Sequence, residues 1–144
     1  MKLHNDIFSI EVSTHGAELT SMQKDGFEYV WQAQPEFWKR HAPILFPIVG
    51  KVHNNTYRVG DTEYHLPQHG FARDSDFEIV DTKPQSITLR LVSNPDTLAC
   101  YPYPFALTAT YILEDATLRC LWQVHNPADT PLYFQIGAHP AFCY

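Results

Sequence analysis

Two of the eight histidines in this 144-residue chain stand apart by what surrounds them. His139 lies in Ile136-Gly137-Ala138-His139-Pro140-Ala141-Phe142, where small residues on one side and a proline on the other would fix an imidazole while leaving room for a ligand. His69 lies in Pro67-Gln68-His69-Gly70-Phe71-Ala72-Arg73-Asp74, which packs an amide, an imidazole and a guanidinium around a glycine that permits close backbone approach. That stretch reads as a binding loop. An imidazole titrates near neutrality and is the usual proton donor there, so the pair reads either as two satisfied structural histidines or as a site for proton transfer. The remaining six, His4, His15, His41, His53, His65 and His125, lie beside turns or alternate with apolar residues and are expected at surface or cap positions.

Other chemistries fit less well. No H-x-H, H-E-x-x-H or cysteine pair is present, so no metal is expected; a cupin-like metal barrel is the reading that a bound metal would support. Cys100, Cys120 and Cys143 are an odd number without a C-x-x-C pair, and are expected to be reduced, mostly buried thiols. Cys120 shares the apolar phase of a strand with Leu118 and Trp122, the pattern of an inert thiol. The net charge is -6 with no basic stripe, which disfavours nucleic acid. No apolar run approaches the roughly 18 residues of a membrane span, and Asp6 interrupts the N-terminal stretch where a signal peptide would be apolar, so a cytoplasmic chain with no membrane partner is expected. Aromatic residues make up 14%; Trp31, Phe37, Trp38, Tyr57, Phe71, Tyr101 and Tyr103 are expected mostly in the core, with some free to stack on a sugar ring.

The elements that must position these residues are strands. Period-two alternation predicts them at Ile7 to Ser13, Phe27 to Trp31, Tyr57 to Val59, Glu63 to Leu66, Phe77 to Asp81, Ile87 to Leu91, Phe105 to Leu113, Leu118 to Val124 and Leu132 to Ile136. Short strands divided by Gly, Pro, Asn and Asp imply an all-β sandwich or barrel. Prolines such as Pro84, Pro95, Pro102, Pro104, Pro127 and Pro131 are expected to mark loops. Pro35 to His41 is the only helical candidate, one or two turns long. His41 to Asn55 places an apolar, proline-bracketed segment before polar residues and a glycine, a buried support for a polar site.

The motifs Gly16-Ala17-Glu18-Leu19, Tyr29-Val30-Trp31-Gln32, Phe37-Trp38, Ala42 to Gly50, Gln68 to Arg73 and Gly137 to Phe142, in this order over nearly the whole chain, resemble the aldose 1-epimerase (mutarotase) family, most closely its LacX-like branch. The resemblance implies the N-terminal portion of a galactose mutarotase-like β-supersandwich. It also implies interconversion of aldohexose anomers, such as those of galactose or glucose, without a cofactor. By motif position His139 would be the general acid to the ring oxygen, and His69 would orient the ring hydroxyls or ring oxygen. Gln68 and Arg73 would bind hydroxyls, or Arg73 a phosphate in the hexose-6-phosphate branch. Lys51 would also bind substrate, although many relatives carry arginine there and lysine lacks its planar fork. The family base is a glutamate in the C-terminal half, and none of Glu11, Glu18, Glu28, Glu36, Glu63, Glu78 or Glu114 stands in its motif. Residues 1–144 are therefore expected to be one epimerase-like domain truncated at its C-terminus: either an N-terminal fragment, or a chain whose fold is completed by a complementary C-terminal half on a separate polypeptide or by a second copy in a homo-oligomer. A catalytically silent carbohydrate-recognition module is the alternative.

Overall fold

A computed structural model describes residues 1–144. The chain opens with an antiparallel sheet of β1 (Lys2–His4), β2 (Ser9–Val12), β3 (Leu19–Lys24) and β4 (Phe27–Glu28). The last hairpin turns on Asp25-Gly26, both at positive φ (51° and 79°), the two-residue geometry that Asp-Gly favours. The Glu28 carboxylate then secures the corner by accepting from the backbone N–H groups of Met22 and Val30 and from the Ser21 hydroxyl. Burial pushes its pKa up, but these bonds and one from Gln23 outweigh burial and hold it below the usual carboxylate range.

A two-residue strand, β5 (Ile44–Leu45), follows inside the buried segment Ala42 to Pro47, where the Phe46–Pro47 bond is cis. β6 (Thr56–Val59) and β7 (Thr62–His65) form a separate hairpin. The second large sheet runs in the order β11-β10-β9-β8, from β8 (Glu78–Lys83), β9 (Ser86–Val92), β10 (Ala106–Glu114) and β11 (Thr117–His125). Between β9 and β10 lies α1 (Pro95–Cys100), and β12 (Gly137–Ala138) closes the list by pairing with β5.

The core joins these pieces because alternate residues on both large sheets point inward. Ile87, Leu89 and Leu91 of β9 and Leu107, Ala109, Tyr111 and Leu113 of β10 are buried with Ile10, Val12 and Leu19 of the first sheet, and Ala42, Ile44 and Phe46 complete the cluster. Each such leucine contributes about 1.5–3 kcal/mol on burial. The Tyr111 hydroxyl crosses between the sheets to donate to the Ala17 carbonyl at 2.7 Å, and burial pushes its pKa far up.

Several expectations are corrected. Pro35 to His41 is not a helix but a turn, with Phe37 and Trp38 both donating to the Gln34 carbonyl. Partners outside the segment take its backbone groups: the Trp31 indole donates to the Trp38 carbonyl, and the Glu18 carboxylate accepts from the N–H groups of His41 and Ala42. Pro95 opens α1 instead of marking a loop, since the first helical position needs no N–H; Asn94 and Thr97 cap that helix reciprocally. Leu132 to Ile136 forms no ladder, and the strand begins only at Gly137. Of the seven aromatic residues expected mostly in the core only Tyr101 is fully buried; Phe37 is 77% exposed. The three thiols are free, but Cys120 is exposed and the other two half-buried.

Cys120 is open for a reason visible in the register. Tyr111 pairs with Cys120, Ala109 with Trp122 and Leu113 with Leu118, so the inward face of β10 continues onto β11 while the first sheet does not extend over it. The result is an apolar groove of about 520 Å³, lined from one side by Leu118, Cys120 and Trp122 and from the other by Phe8, Met22, Tyr29, Pro140 and Phe142. No helix of the chain is long and apolar enough to cross a membrane.

Candidate active site

The segment that carries His139 is zipped on both sides. On one side Gly137 and Ala138 pair with Leu45 and Ile44, the His139 N–H donates to the Pro43 carbonyl at 3.1 Å, and the Ala141 N–H donates to the His41 carbonyl at 3.0 Å. On the other, the Trp31 N–H donates to the Ala141 carbonyl at 3.0 Å and the Cys143 N–H to the Tyr29 carbonyl at 2.9 Å. Extended backbone sends successive side chains to opposite faces. Ala138, Pro140 and Phe142 accordingly line the apolar groove, while His139 turns into a separate pocket of about 190 Å³. Its other walls are Trp38, Pro43, Leu45, Gln68, His69 and Arg73.

His69 is set by a reciprocal clamp with Gly50. The His69 N–H donates to the Gly50 carbonyl at 2.7 Å, and the Gly50 N–H donates to His69 Nδ1 at 2.9 Å. Nδ1 is thus an acceptor, which leaves the neutral ring's proton on Nε2, the nitrogen nearer the Gln68 amide. His69 adopts φ 65° and Gly70 φ 71°, so the loop reverses sharply. A Cβ on Gly70 would fall 2.2 Å from the Phe46 carbonyl oxygen, and that carbonyl accepts from both Phe71 and Ala72. Burial lowers the His69 pKa, and the positive neighbours Arg73, His139 and Arg40 lower it further.

Arg73 donates to the Gln68 carbonyl at 2.6 Å, while its Nε is buried without a hydrogen-bond partner. Burial and the nearby Arg40 hold its pKa below the usual guanidinium range, with Asp74 opposing them. Asp74 serves both cations: Arg40 reaches it at 2.8 Å and Arg73 Nε lies 3.6 Å away. The loop between β2 and β3 braces the whole from behind. Gly16 packs on the Arg73 backbone so closely that a Cβ would lie 2.9 Å from its carbonyl oxygen. Two residues on, buried Glu18 accepts the N–H groups of His41 and Ala42 on one oxygen, both at 2.8 Å.

Of the residues singled out in the sequence, His139, His69, Gln68 and Arg73 share the pocket. Lys51 does not: it is exposed on a neighbouring cleft with Val49, Val52, Tyr133 and Phe134. In the sequence Trp38, whose ring centroid stands 5.1 Å from that of His139, is only one of several aromatic residues expected mostly in the core with some free to stack on a sugar ring, and Glu18 and Arg40 carry no assigned role. A lone glutamate between Ala17 and Leu19, two residues after Gly16, is the available signal for a buried anchor.

A family model described as aldose 1-epimerase matches residues 1–144. The chain belongs to the aldose 1-epimerase family. Among family relatives, the chromosomal protein LacX of Lactococcus lactis subsp. lactis is 38% identical over 149 residues, covering 99% of this chain and 50% of that protein. The crystal structure of a galactose mutarotase related enzyme from Lactobacillus acidophilus superposes with a TM-score of 0.97 at 40% identity, covering 99% of this chain and 48% of that one. A galactose mutarotase-like protein from Lactobacillus casei gives 0.95 at 40% identity, covering 99% and 49%. The all-β sandwich is therefore that of the epimerase family, and the chain spans about half the length of the curated relatives it matches, corresponding to their N-terminal half.

Proposed function

We propose that this chain supplies the acid half of an aldohexose mutarotation site. The observation that carries the reading is the convergence of His139, His69, Gln68 and Arg73 from distant stretches of an epimerase-family chain onto one pocket. In the reaction, His139 donates a proton to the ring oxygen as a base takes the proton of the anomeric hydroxyl. The bond between C1 and the ring oxygen breaks, the aldehyde forms, and rotation about C1–C2 with reclosure returns both protons and gives the other anomer. His69, held neutral with its Nε2–H toward the pocket, orients a hydroxyl or the ring oxygen; Gln68 and Arg73 hold further hydroxyls, or Arg73 the phosphate of a hexose phosphate.

No carboxylate lines the pocket. That favours, for these 144 residues alone, the second reading: a carbohydrate-recognition unit that binds an aldose with little or no turnover. The relatives' additional length offers a place for the base, and we propose that a complementary C-terminal half, or a second copy of the chain, covers the apolar groove and completes the cleft. Polarimetry on freshly dissolved α-galactose and α-glucose tests the reading, using the chain alone and the chain joined to the C-terminal half of a relative. Mutarotation by the joined form, lost by 10²–10⁴-fold in His139→Ala, is the expected result. Undiminished catalysis in that variant removes His139 from the mechanism.

A further inference from the structure

We infer that Trp38 is the apolar wall against which the pyranose ring lies, holding it edge-on to His139. This rests on the sugar-binding reading above and adds a ligand contact to it. Sugars have two recognition chemistries: hydroxyls that need planar donors and acceptors, and C–H faces that need an aromatic surface. The pocket already shows the first in Gln68, His69 and Arg73, and Trp38 is its only aromatic carbocyclic wall. The indole and the His139 imidazole form a corner, with centroids 5.1 Å apart and planes tilted by 57°. A pyranose whose C–H face packs on the indole would turn its rim toward the imidazole, which is where a ring oxygen must be to receive a proton.

The Trp38 backbone is held by elements that also hold His139. The Trp38 carbonyl accepts from the Trp31 indole N–H at 2.8 Å, and the Trp31 backbone donates to Ala141, two residues from His139. Trp31 thus ties the Trp38 backbone to the segment that carries His139, and Trp38 itself remains half-buried, with surface left for a ligand.

The test uses the chain as it stands, with galactose and glucose as probes, and two readouts: equilibrium dialysis for binding and tryptophan emission for contact. In the unaltered chain, saturating galactose should shift the emission; in Trp38→Phe the shift should vanish while binding stays within about threefold, because phenylalanine keeps an aromatic face. Trp38→Ala should weaken binding by roughly 3- to 10-fold, the size of an aromatic contact. If Trp38→Ala fails to fold, the Trp38→Phe emission result decides by itself. Sugar binding unchanged in folded Trp38→Ala, or an emission shift that persists in Trp38→Phe, overturns the platform and leaves the sugar site standing. No binding of either sugar by the unaltered chain overturns the sugar reading and the platform with it.

Discussion

At the scale of single residues, the pocket separates the two histidines by environment. His69 is clamped, neutral and ringed by positive groups, whereas His139 is exposed at the pocket mouth against an indole. The depressed pKa of His69 has a consequence for stability. Its unfolded value is near 6.5, so between that and its lower folded value the unfolded chain binds more protons than the folded one. Stability from this group is therefore complete above about pH 6.5 and falls as acid carries the solution through the folded pKa. Denaturant midpoints measured from pH 7.5 to 5 should decline in the wild type and decline less in His69→Asn, which tolerates positive φ but has no proton to gain. Parallel profiles for the two proteins would show that His69 is not the group being protonated.

At the scale of elements, the site depends on backbone approaches that few residue types permit. Gly70 is the tightest: positive φ and a carbonyl 2.2 Å from any Cβ mean that Gly70→Ala must displace the loop from Phe46. A loss of about 3 kcal/mol or more is expected, read by urea denaturation. Gly26, in an open turn with nothing within 4 Å, provides the control, where an alanine meets only the φ penalty. Glu18 acts by a different route. Glu18→Ala strips two strand-entry N–H groups of their acceptor, and should cost about 2–4 kcal/mol, while Glu18→Gln keeps one acceptor oxygen and should retain most of the stability. Because the His41 and Pro43 carbonyls pair with Ala141 and His139, the alanine variant should also broaden the His139 imidazole resonances. Sharp, unmoved His139 signals in a destabilised Glu18→Ala would confine the glutamate to the fold.

For the whole molecule, the largest cavity is not the chemical one. The groove of about 520 Å³ beside β11 is apolar, and β11 pairs only with β10, leaving its other backbone edge free. Such a face and edge invite a partner. The groove also lies on the reverse of the His139 segment, through Ala138, Pro140 and Phe142, so whatever fills it packs against the segment that carries His139. Sedimentation velocity over a range of concentrations should show species heavier than 16.6 kDa, or association with an added C-terminal half of a relative. Trp122→Glu should weaken that association tenfold or more, as a charge replaces an exposed indole that the partner would bury. A 16.6 kDa monomer at every concentration that ignores the added half would refute the covered groove.

What the sequence determined by itself was whatever is written in local period and local motif. The alternation of Ala106 to Glu114 and Thr117 to His125 placed two long strands within a residue or so of their ends, and the glycine-bearing corners at His69 and His139 marked the pocket. Contacts between distant stretches were left to the tertiary structure. Leu118, Cys120 and Trp122 have the pattern of a buried face, yet burial depends on what lies opposite, and the first sheet stops short of them. Pro35 to His41 has helical composition, yet Trp31 and Glu18 take its backbone groups into a turn and thereby set Trp38 beside His139. Lys51 stands one residue from Gly50, the clamp of His69, but lies in the adjoining cleft with Val49 and Tyr133. Period and propensity act over a few residues, whereas a hydrogen bond between Glu18 and Ala42 or between His139 and Pro43 exists only once the chain has closed loops of tens of residues.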